Sequence, residues 1–224
     1  MARKIISAEF VISAVLPRDF PTDGRPEVAL VGRSNVGKSS LINALVRSTV
    51  ARTSASPGKT RQVNVYRITP GGGSPFYVMD LPGYGHAGGG VKAQREFAAM
   101  TALYFGTRTT PGQITPGVIF DAGRAGHHSG SDVVSPLRGV VLTVDARHPG
   151  LASDVEAYRW LHALGVPLLL AAMKADKLSQ SEKAKLRAAC LRAFGEEPLP
   201  VSAITGAGLD EFWRRLREWT DAQA

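Results

Sequence analysis

The sequence is poor in cysteine, with only Cys190 among its 224 residues. A single cysteine cannot form an internal disulfide. Cys190 lies in the segment KLRAACLRAF, at the helical spacing where a cysteine usually fills space in a core. We therefore expect a buried thiol without a redox role.

Long apolar runs are also missing. No stretch of eighteen apolar residues occurs, which excludes a membrane-spanning helix of ordinary length. The first ten residues, MARKIISAEF, carry Glu9 where a secretory signal would continue its apolar stretch. We expect a cytoplasmic protein that folds as one α/β domain over residues 1–224.

Acidic residues are scarce in the N-terminal third. The chain holds 27 Lys and Arg against 19 Asp and Glu, and residues 1–67 hold 11 of these cations but only 4 of the acids. The net charge of +8 therefore lies almost entirely in that third. Two explanations fit about equally well: a surface that binds a phosphate-rich partner such as nucleic acid, or an ordinary solvated basic surface.

One glycine-rich stretch, GRSNVGKSS, has the form G-x-x-x-x-G-K-[ST]. The apolar run EVALV before it predicts a buried strand, and SLINALV after it predicts a helix, which is the context that the motif requires. In such a loop, backbone N–H groups surround nucleotide phosphates, Lys38 reaches the β- and γ-phosphates, and the Ser39 hydroxyl holds Mg²⁺. The alternative is a turn that only caps a helix. The candidate residues are Gly32, Arg33, Ser34, Asn35, Val36, Gly37, Lys38, Ser39 and Ser40.

A second motif, DLPGYG, follows the predicted strand FYVMD. At this end of a strand Asp80 can hold a Mg²⁺-bound water, and the Gly83 N–H can meet a γ-phosphate. Leu81 and Pro82 lie between them and complete the candidate segment. Alone, D-x-P-G is also a common turn.

Two later segments predict a guanine site. MKAD ends the predicted strand PLLLAAM, and the Asp176 carboxylate can accept hydrogen bonds from both N1–H and the N2 amino group of guanine. The stem of Lys174 is expected to pack on the base, with Ala175 between the two. After the last predicted strand, the Ala203 N–H of VSA can meet guanine O6, with Val201 and Ser202 beside it.

Apolar blocks of alternating type predict a mostly parallel, six-stranded sheet flanked by helices. The predicted strands are EVALV, VNVYRI, FYVMD, GVVLTVD, PLLLAAM and LPVS; the predicted helices are SLINALV, REFAAMTALYF, DVEAYRWLHALG, SEKAKLRAACLRAFG and LDEFWRRLREWT. Residues 1–26 precede this pattern as an extension. Residues 106–136 interrupt it, and because half of them are Gly, Pro, Ser or Thr, we expect a flexible surface insertion there.

The stretches GRSNVGKSSLINAL, SPGKTRQVNVY, DLPGYG, GVVLTVDARHPG, KADKLS and VSAITGAGLDEF together resemble the EngB/YsxC family of ribosome-biogenesis GTPases, within the translation-factor class of P-loop GTPases. The resemblance covers about residues 8–105 and 137–220. It implies a Ras-like P-loop domain, Mg²⁺-dependent GTP hydrolysis to GDP, and a switch role in large ribosomal subunit assembly, needed for growth, cell division and septation. The implied partners are the large-subunit precursor and its rRNA, and we expect a monomer.

The resemblance also assigns roles to single residues. Thr60 matches the threonine that closes over Mg²⁺ and the γ-phosphate when GTP is bound, so Pro57, Gly58 and Lys59 join the binding residues. The implied metal ligands are Ser39, Thr60 and Asp80. The implied catalytic residues are Lys38, Thr60, Gly83 and Asn35. Asn35 occupies a position shared with GTPases that place K⁺ against the phosphates; the alternative is an Asx-type bond that stabilises the loop.

Two positions depart from the expected patterns. Met173 stands where the family usually has Thr or Asn, which predicts the loss of one supporting hydrogen bond and a lower guanine affinity. Tyr84 occupies the place of the glutamine that orients the attacking water in Ras-like enzymes, so hydrolysis is expected to be slow without help. His86 could touch that water, although a solvent-facing ring is the stronger expectation. No metal site is expected at His127 and His128.

Two functional classes remain open. One is a slow GTPase switch whose GTP form docks on pre-ribosomal particles and leaves after hydrolysis. The alternative is a GTP/GDP-gated RNA-binding or scaffold protein with incidental hydrolysis. A second candidate RNA surface is the predicted last helix, whose arginines Arg214, Arg215 and Arg217 are expected to face water.

Overall fold

The computed structural model describes residues 5–51, 62–84, 90–108 and 135–221, and the side chains of residues 5, 6 and 90–97 are not described. The strands are β1 (Ile5–Ala14), β2 (Glu27–Gly32), β3 (Val63–Pro70), β4 (Phe76–Asp80), β5 (Leu137–Asp145), β6 (Leu168–Met173) and β7 (Leu199–Val201). The helices are α1 (Lys38–Val46), α2 (Gly90–Arg108), α3 (Ala152–His162), α4 (Gln180–Phe194) and α5 (Leu209–Thr220). Each of the five predicted helices is present.

The strands form one mixed sheet in the order β1-β3-β4-β2-β5-β6-β7. β2 is parallel to both β4 and β5, and β6 and β7 continue the parallel part, whereas β3 is antiparallel to both of its neighbours. Every residue of β2 and β4 is buried, as expected for strands covered on both faces. The carboxyl ends of the parallel strands therefore meet at one edge of the sheet.

The predicted number of six strands is wrong, because β1 adds a seventh. Residues 1–26 were expected to be an extension, but from Ile5 onward this segment pairs with β3, from Ile5 opposite Pro70 to Ala14 opposite Val63. Two register shifts interrupt the pairing, and Phe10, Val11 and Ile12 are all exposed. The alternation of apolar and polar residues that marks a half-buried strand is therefore absent from β1.

The core lies on both sides of the sheet. On one side, α1 and α5 cover β2 and β4 with side chains such as Leu41 and Phe212. On the other side, side chains from α2, α3 and α4 cover the sheet, and Cys190 is among them. Cys190 is fully buried and burial raises its pKa to about 11, so the prediction that this cysteine fills space in the core is confirmed.

The predicted insertion 106–136 is too long at both ends. Helix α2 continues to Arg108, which pairs with Glu27, a residue that is only 1% exposed. The Ser135 hydroxyl donates to the carbonyl oxygen of Arg108, and the Glu27 N–H donates to the carbonyl oxygen of Pro136. The body of the domain therefore includes residues up to 108 and from 135. The remaining part, 109–134, with His127 and His128, lies outside the described residues.

Arg214 and Arg215 of α5 face water as predicted and Arg217 is half-buried, but all three have carboxylate partners. Arg214 pairs with Glu211 and Glu218, Arg215 also pairs with Glu211, and Arg217 pairs with Asp221. Because each guanidinium has a carboxylate partner on or next to its own helix, this face carries little net positive charge, and its role as an RNA surface stays a prediction.

The basic N-terminal third is also partly neutralised. Arg25 pairs with Asp23, and Arg67 pairs with Glu9. The buried Lys38 interacts with the charge of Asp80, as described below. Five of its eleven cations fall outside the described residues. In the part of the chain that the structure describes, no helix is long and apolar enough to cross a membrane, and no group of His, Cys, Asp and Glu is arranged to hold a metal on its own.

Candidate nucleotide site

The loop between β2 and α1 is fixed by two glycines. A Cβ on Gly32 would lie 2.0 Å from the Thr143 hydroxyl oxygen, so only glycine lets the loop start this close to β5. Gly37 has a φ of +117°, which L side chains rarely adopt. Helix α1 begins directly after it, at Lys38. The strand, loop and helix predicted from the sequence are therefore present, and the N-terminus of α1 points at the loop.

Lys38 and Asp80 form a buried pair of charges beneath the loop. The Lys38 ammonium donates to the carbonyl oxygen of Gly32 at 3.2 Å. Burial lowers the pKa of Lys38, against the opposing effect of the Asp80 charge. Burial likewise raises the pKa of Asp80 to about 6, although Lys38 opposes this shift. Both groups carry a desolvation cost that a bound ligand could relieve.

The Asp80 carboxylate fits the predicted magnesium role. Its Oδ1 atom is buried and has no hydrogen-bond partner among the described residues. A buried carboxylate oxygen without a protein partner is rare, and such an atom commonly binds an ion or an ordered water. Mg²⁺ prefers oxygen ligands and keeps several waters, so Asp80 and the half-buried Ser39 suit such an ion.

The DLPGYG segment lies against the loop through its backbone. The Ser34 N–H donates to the Tyr84 carbonyl oxygen at 3.0 Å, and the Tyr84 N–H donates to the Gly32 carbonyl oxygen at 3.3 Å. The Ser34 hydroxyl also donates to the Gly83 carbonyl oxygen at 3.2 Å. A Cβ on Gly83 would lie 2.7 Å from Ser34. The structure therefore places Gly83 against the phosphate loop, and the contact of its N–H with a γ-phosphate stays a prediction.

Lys174 joins the predicted base loop to the phosphate loop. Its ammonium donates to the carbonyl oxygen of Asn35 and to Asp145 Oδ2, both at 3.0 Å. Asp145, the last residue of β5, also accepts two hydrogen bonds from the Arg147 guanidinium. Burial alone would raise the pKa of Asp145, but the hydrogen bonds from Arg147 and Lys174 outweigh it and hold the pKa well below its usual range.

Met173 lies in the core, where it packs against the phosphate loop. It therefore lacks the hydrogen bond that Thr or Asn could make at this position, as expected from the sequence. It is 1% exposed, and a Cβ on Gly37 would lie 3.7 Å from its terminal methyl carbon. The side chain therefore packs beneath the phosphate loop and cannot donate a hydrogen bond to it. Lys174, tied to Asp145, supplies the polar contact between the two loops.

Asp176 and Ser202 bring the two predicted base segments together. The Ser202 hydroxyl donates to Asp176 Oδ1 at 2.7 Å and accepts from the N–H groups of Ile204 and Thr205. That hydrogen bond from Ser202 lowers the pKa of Asp176. Val201 and Ser202 are buried, whereas Ala203 is partly exposed. The geometry leaves the second Asp176 oxygen to face a ligand, apart from a 3.7 Å contact with Lys177.

The exposed Asn35 has a backbone φ of +61°, a conformation that asparagine tolerates better than most residues. Its side chain makes no hydrogen bond with any described residue, so the Asx-type bond considered above is not observed. Ser40 is exposed on the first turn of α1. The predictions for Pro57, Gly58, Lys59 and Thr60, and for His86, fall outside the described residues.

Sequence reasoning missed two residues that the structure places beside this site. Asp154, on the first turn of α3, is fully buried and accepts a hydrogen bond of 2.9 Å from the Tyr84 hydroxyl. Tyr84 and Asp154 are 70 positions apart in the sequence, and no local pattern links them. Asp145 was part of the quoted stretch GVVLTVDARHPG, but its contact with Lys174 depends on the pairing of β5 with β6.

Comparison with known proteins agrees with this geometry. Residues 27–174 match the profile of a family described as 50S ribosome-binding GTPase. A relative from Symbiobacterium thermophilum, named "Probable GTP-binding protein EngB", is 39% identical, and the alignment covers 96% of this chain and 98% of the relative. A relative of the same name from Geobacillus thermodenitrificans is also 39% identical, over 95% of this chain and 96% of its own length.

Two solved structures illustrate the related fold. Aquifex aeolicus Era bound to GDP and AlF4⁻ has a TM-score of 0.64 and 21% identity, covering 87% of this chain and 56% of Era. A structure titled as a probable GTP-binding protein engB has a TM-score of 0.56 and 20% identity, covering 88% of this chain and 99% of its own. At these identities the likeness concerns the fold alone, and it confirms the predicted α/β P-loop GTPase fold.

Proposed function

Because this chain belongs to the EngB family of 50S ribosome-binding GTPases, we propose that it hydrolyses GTP to GDP and phosphate as a switch in large ribosomal subunit assembly. The buried, oppositely charged pair of Lys38 and Asp80 beneath a glycine-rich loop carries this proposal. Burying both charges there is costly without a ligand of complementary chemistry, and a polyphosphate with a divalent cation has that chemistry.

The parts of the site are proposed to contact different groups of the nucleotide. Backbone N–H groups of the phosphate loop and of α1 bind the α- and β-phosphates, and Lys38 reaches the terminal phosphates. The Gly83 N–H meets the γ-phosphate, and the second oxygen of Asp176 reads the guanine edge. Ala203 contributes its N–H to guanine O6. Thr60 closes over the γ-phosphate in the GTP form.

Ser39, Thr60 and Asp80 are proposed to hold Mg²⁺, either directly or through water. When bound, this ion neutralises charge on the phosphate oxygens. The protein's own residues orient the nucleotide, because Lys38 and the loop fix the phosphates while Asp176 fixes the base. Since Tyr84 stands in place of a water-orienting glutamine, we propose slow intrinsic hydrolysis that a partner accelerates.

The partner is proposed to be the large-subunit precursor with its rRNA, in the cytoplasm, with this chain acting as a monomer. Support comes from the family to which the chain belongs. Consequences for growth, cell division and septation would follow from impaired subunit assembly. The second candidate, a GTP/GDP-gated RNA-binding or scaffold protein, differs in needing no hydrolysis for release.

One experiment separates these candidates. Purified large-subunit particles are mixed with the protein in the presence of GTP, a non-hydrolysable GTP analogue, GDP, ATP or no nucleotide, and both binding and phosphate release are measured. The switch proposal expects tight binding with the GTP analogue, weak binding with GDP, and faster GTP turnover on the particles. Equal binding in all five conditions would contradict it. Tight GTP-dependent binding without faster turnover would favour the scaffold.

A further inference from the structure

Tyr84 is held on two sides in the structure. Its backbone pairs with the phosphate loop through Gly32 and Ser34, and Arg33 and Tyr84 form a parallel β-bridge. Its side chain extends the other way, into the core that contains α3, where only 7% of the residue is exposed. The segment that carries Gly83 therefore contacts the phosphate loop through its backbone and the core beside helix α3 through the Tyr84 side chain.

The contact of Tyr84 with α3 depends on a buried carboxylate. Asp154 is fully buried, and its Oδ1 accepts the Tyr84 hydroxyl at 2.9 Å. Burial raises the pKa of Asp154, while the hydrogen bond from Tyr84 and the positive charge of Arg33 oppose that shift. A buried carboxylate is costly, and a phenylalanine packed on an apolar side chain would stabilise the core without that cost.

Two further polar atoms, one on Asp154 and one on Arg33, lie buried in this cluster. Asp154 Oδ2 and Arg33 Nε are both buried, and neither has a hydrogen-bond partner among the described residues. A cluster built only for stability would be expected to satisfy these groups. The Tyr84 hydroxyl instead joins the segment after β4 to the first turn of α3, and the positive charge of Arg33 on the phosphate loop acts on both Tyr84 and Asp154.

We propose that Tyr84 and Asp154 are positioning residues for GTP hydrolysis, which fix Gly83 against the phosphate loop. The Tyr84 hydroxyl is directed to Asp154 on α3, so it does not orient the attacking water in place of the missing glutamine. Instead, the hydrogen bond sets where the Gly83 N–H meets the γ-phosphate. This inference deepens the proposed function and rests on it.

The test compares Tyr84→Phe, Asp154→Ala and the double variant with the wild-type protein. Tyr84→Phe keeps the packed ring and removes only the hydroxyl. We expect single-turnover hydrolysis at saturating GTP to fall about tenfold in each single variant and no further in the double variant, because both remove the same hydrogen bond. GDP affinity should change less than twofold, since GDP has no γ-phosphate.

Two further variants separate positioning from stability. Asp154→Asn keeps an oxygen that can accept the Tyr84 hydroxyl, so we expect it to retain most of the wild-type rate. Tyr158→Phe removes another tyrosine hydroxyl from α3, which bonds Glu196, and should leave the rate unchanged. Melting temperatures are measured for all variants. A lower melting temperature with an unchanged hydrolysis rate would show a structural role only and would overturn the proposal.

The proposal is also wrong if the two single effects add in the double variant, or if Asp154→Asn is as slow as Asp154→Ala. A wild-type protein that hydrolyses no GTP, with or without large-subunit particles, would refute the proposed function instead. The positioning role is then measured by the ratio of affinities for a non-hydrolysable GTP analogue and GDP. That ratio should fall about tenfold in Tyr84→Phe, and an unchanged ratio would overturn the role.

Discussion

At the scale of single residues, guanine specificity depends on one carboxylate whose position is set by a serine. Ser202 holds one oxygen of Asp176 and leaves the other for the ligand. The hydrogen bond also keeps the pKa of Asp176 low, so the group is ionised at neutral pH. The sequence placed both residues in base-contacting segments, but it did not predict that they would contact each other.

Replacing Asp176 by asparagine should change the preferred base. The amide NH₂ can donate to the C2 carbonyl of xanthine but cannot accept from both donors of guanine. Losing two hydrogen bonds to a charged acceptor, at about 1.5–3 kcal/mol each, should weaken GDP binding by roughly 100-fold or more. Fluorescent GDP and XDP titrations measure both affinities. The exposed Asp210→Asn on α5 serves as the control, and unchanged GDP affinity in Asp176→Asn would refute the assignment.

The positive φ of Asn35 determines how its proposed role as a K⁺ ligand can be tested. Alanine at φ +61° would strain the loop, so a loss of activity in Asn35→Ala would be ambiguous. Asn35→Gly removes the side-chain oxygen without that strain, and Asn35→Asp retains an oxygen. If K⁺ is bound there, replacing Na⁺ by K⁺ at constant ionic strength should raise GTP turnover several-fold in the wild type and Asn35→Asp but not in Asn35→Gly. Equal rates in both salts for the wild type would exclude this role.

At the scale of elements, the ends of neighbouring parallel strands bring the loops of the site together. β5 ends at Asp145 and β6 ends at Met173, and the two residues are paired in register. This pairing places Asp145 within 3.0 Å of the Lys174 ammonium, which in turn reaches the phosphate loop. The Met173 side chain itself packs in the core, so the polar contact between the two loops comes from Lys174.

The low pKa of Asp145 makes a prediction about pH. Because the folded state binds fewer protons at Asp145 than the unfolded state, its stabilising effect is complete above about pH 4 and is lost as the pH falls through the folded pKa. Asp145→Asn should cost roughly 1–2 kcal/mol of unfolding free energy at pH 7, a figure reduced for the partly exposed partners. Urea unfolding at pH 7 and pH 3 measures the difference. A cost that does not shrink at the lower pH would contradict the assigned ion pair.

The fold was largely predictable from the sequence, because the central strands and the helices show strong apolar patterns. Strand β1 was not, since its exposed Phe10, Val11 and Ile12 give no alternation and its place depends on β3. In the site, the glycine-rich loop and Asp80 follow from local motifs. The bonds of Tyr84 to Asp154 and of Lys174 to Asn35 join residues 70 and 139 positions apart, and only the folded chain reveals them.

At the scale of the whole molecule, the described residues on either side of 109–134 meet at one place. Arg108 and Ser135 are hydrogen-bonded, and Arg108 is anchored by Glu27 and the carbonyl oxygen of Pro21. Glu27 begins β2, whereas the phosphate loop follows its other end. Arg108 and Ser135 therefore lie near the amino-terminal end of β2, whereas the nucleotide site lies at its carboxyl end.

Two deletions should accordingly behave differently. Removing residues 109–134 and joining the ends through a short Gly/Ser linker should leave the melting temperature and GDP affinity close to wild type. Removing 106–136 also deletes Arg108, so Glu27 is left buried without its counter-charge, which should cost about 3–5 kcal/mol. Thermal unfolding followed by circular dichroism measures both. If the shorter deletion unfolds the domain, those residues are part of its packed structure.

The central position of β2 also has a consequence for the order in which the chain folds during synthesis. β2 is made early, but one of its two neighbours, β5, ends at Asp145. At translation speeds of about 5–20 residues per second, the edge of β2 that pairs with β5 remains unpaired for on the order of ten seconds. Until then the hairpin of β3 and β4 can form by itself, but the base loop has not yet emerged to meet the phosphate loop. Nucleotide binding is thus a late event in biosynthesis, and the nascent chain exposes an apolar strand edge at the stage when chaperones can act on it.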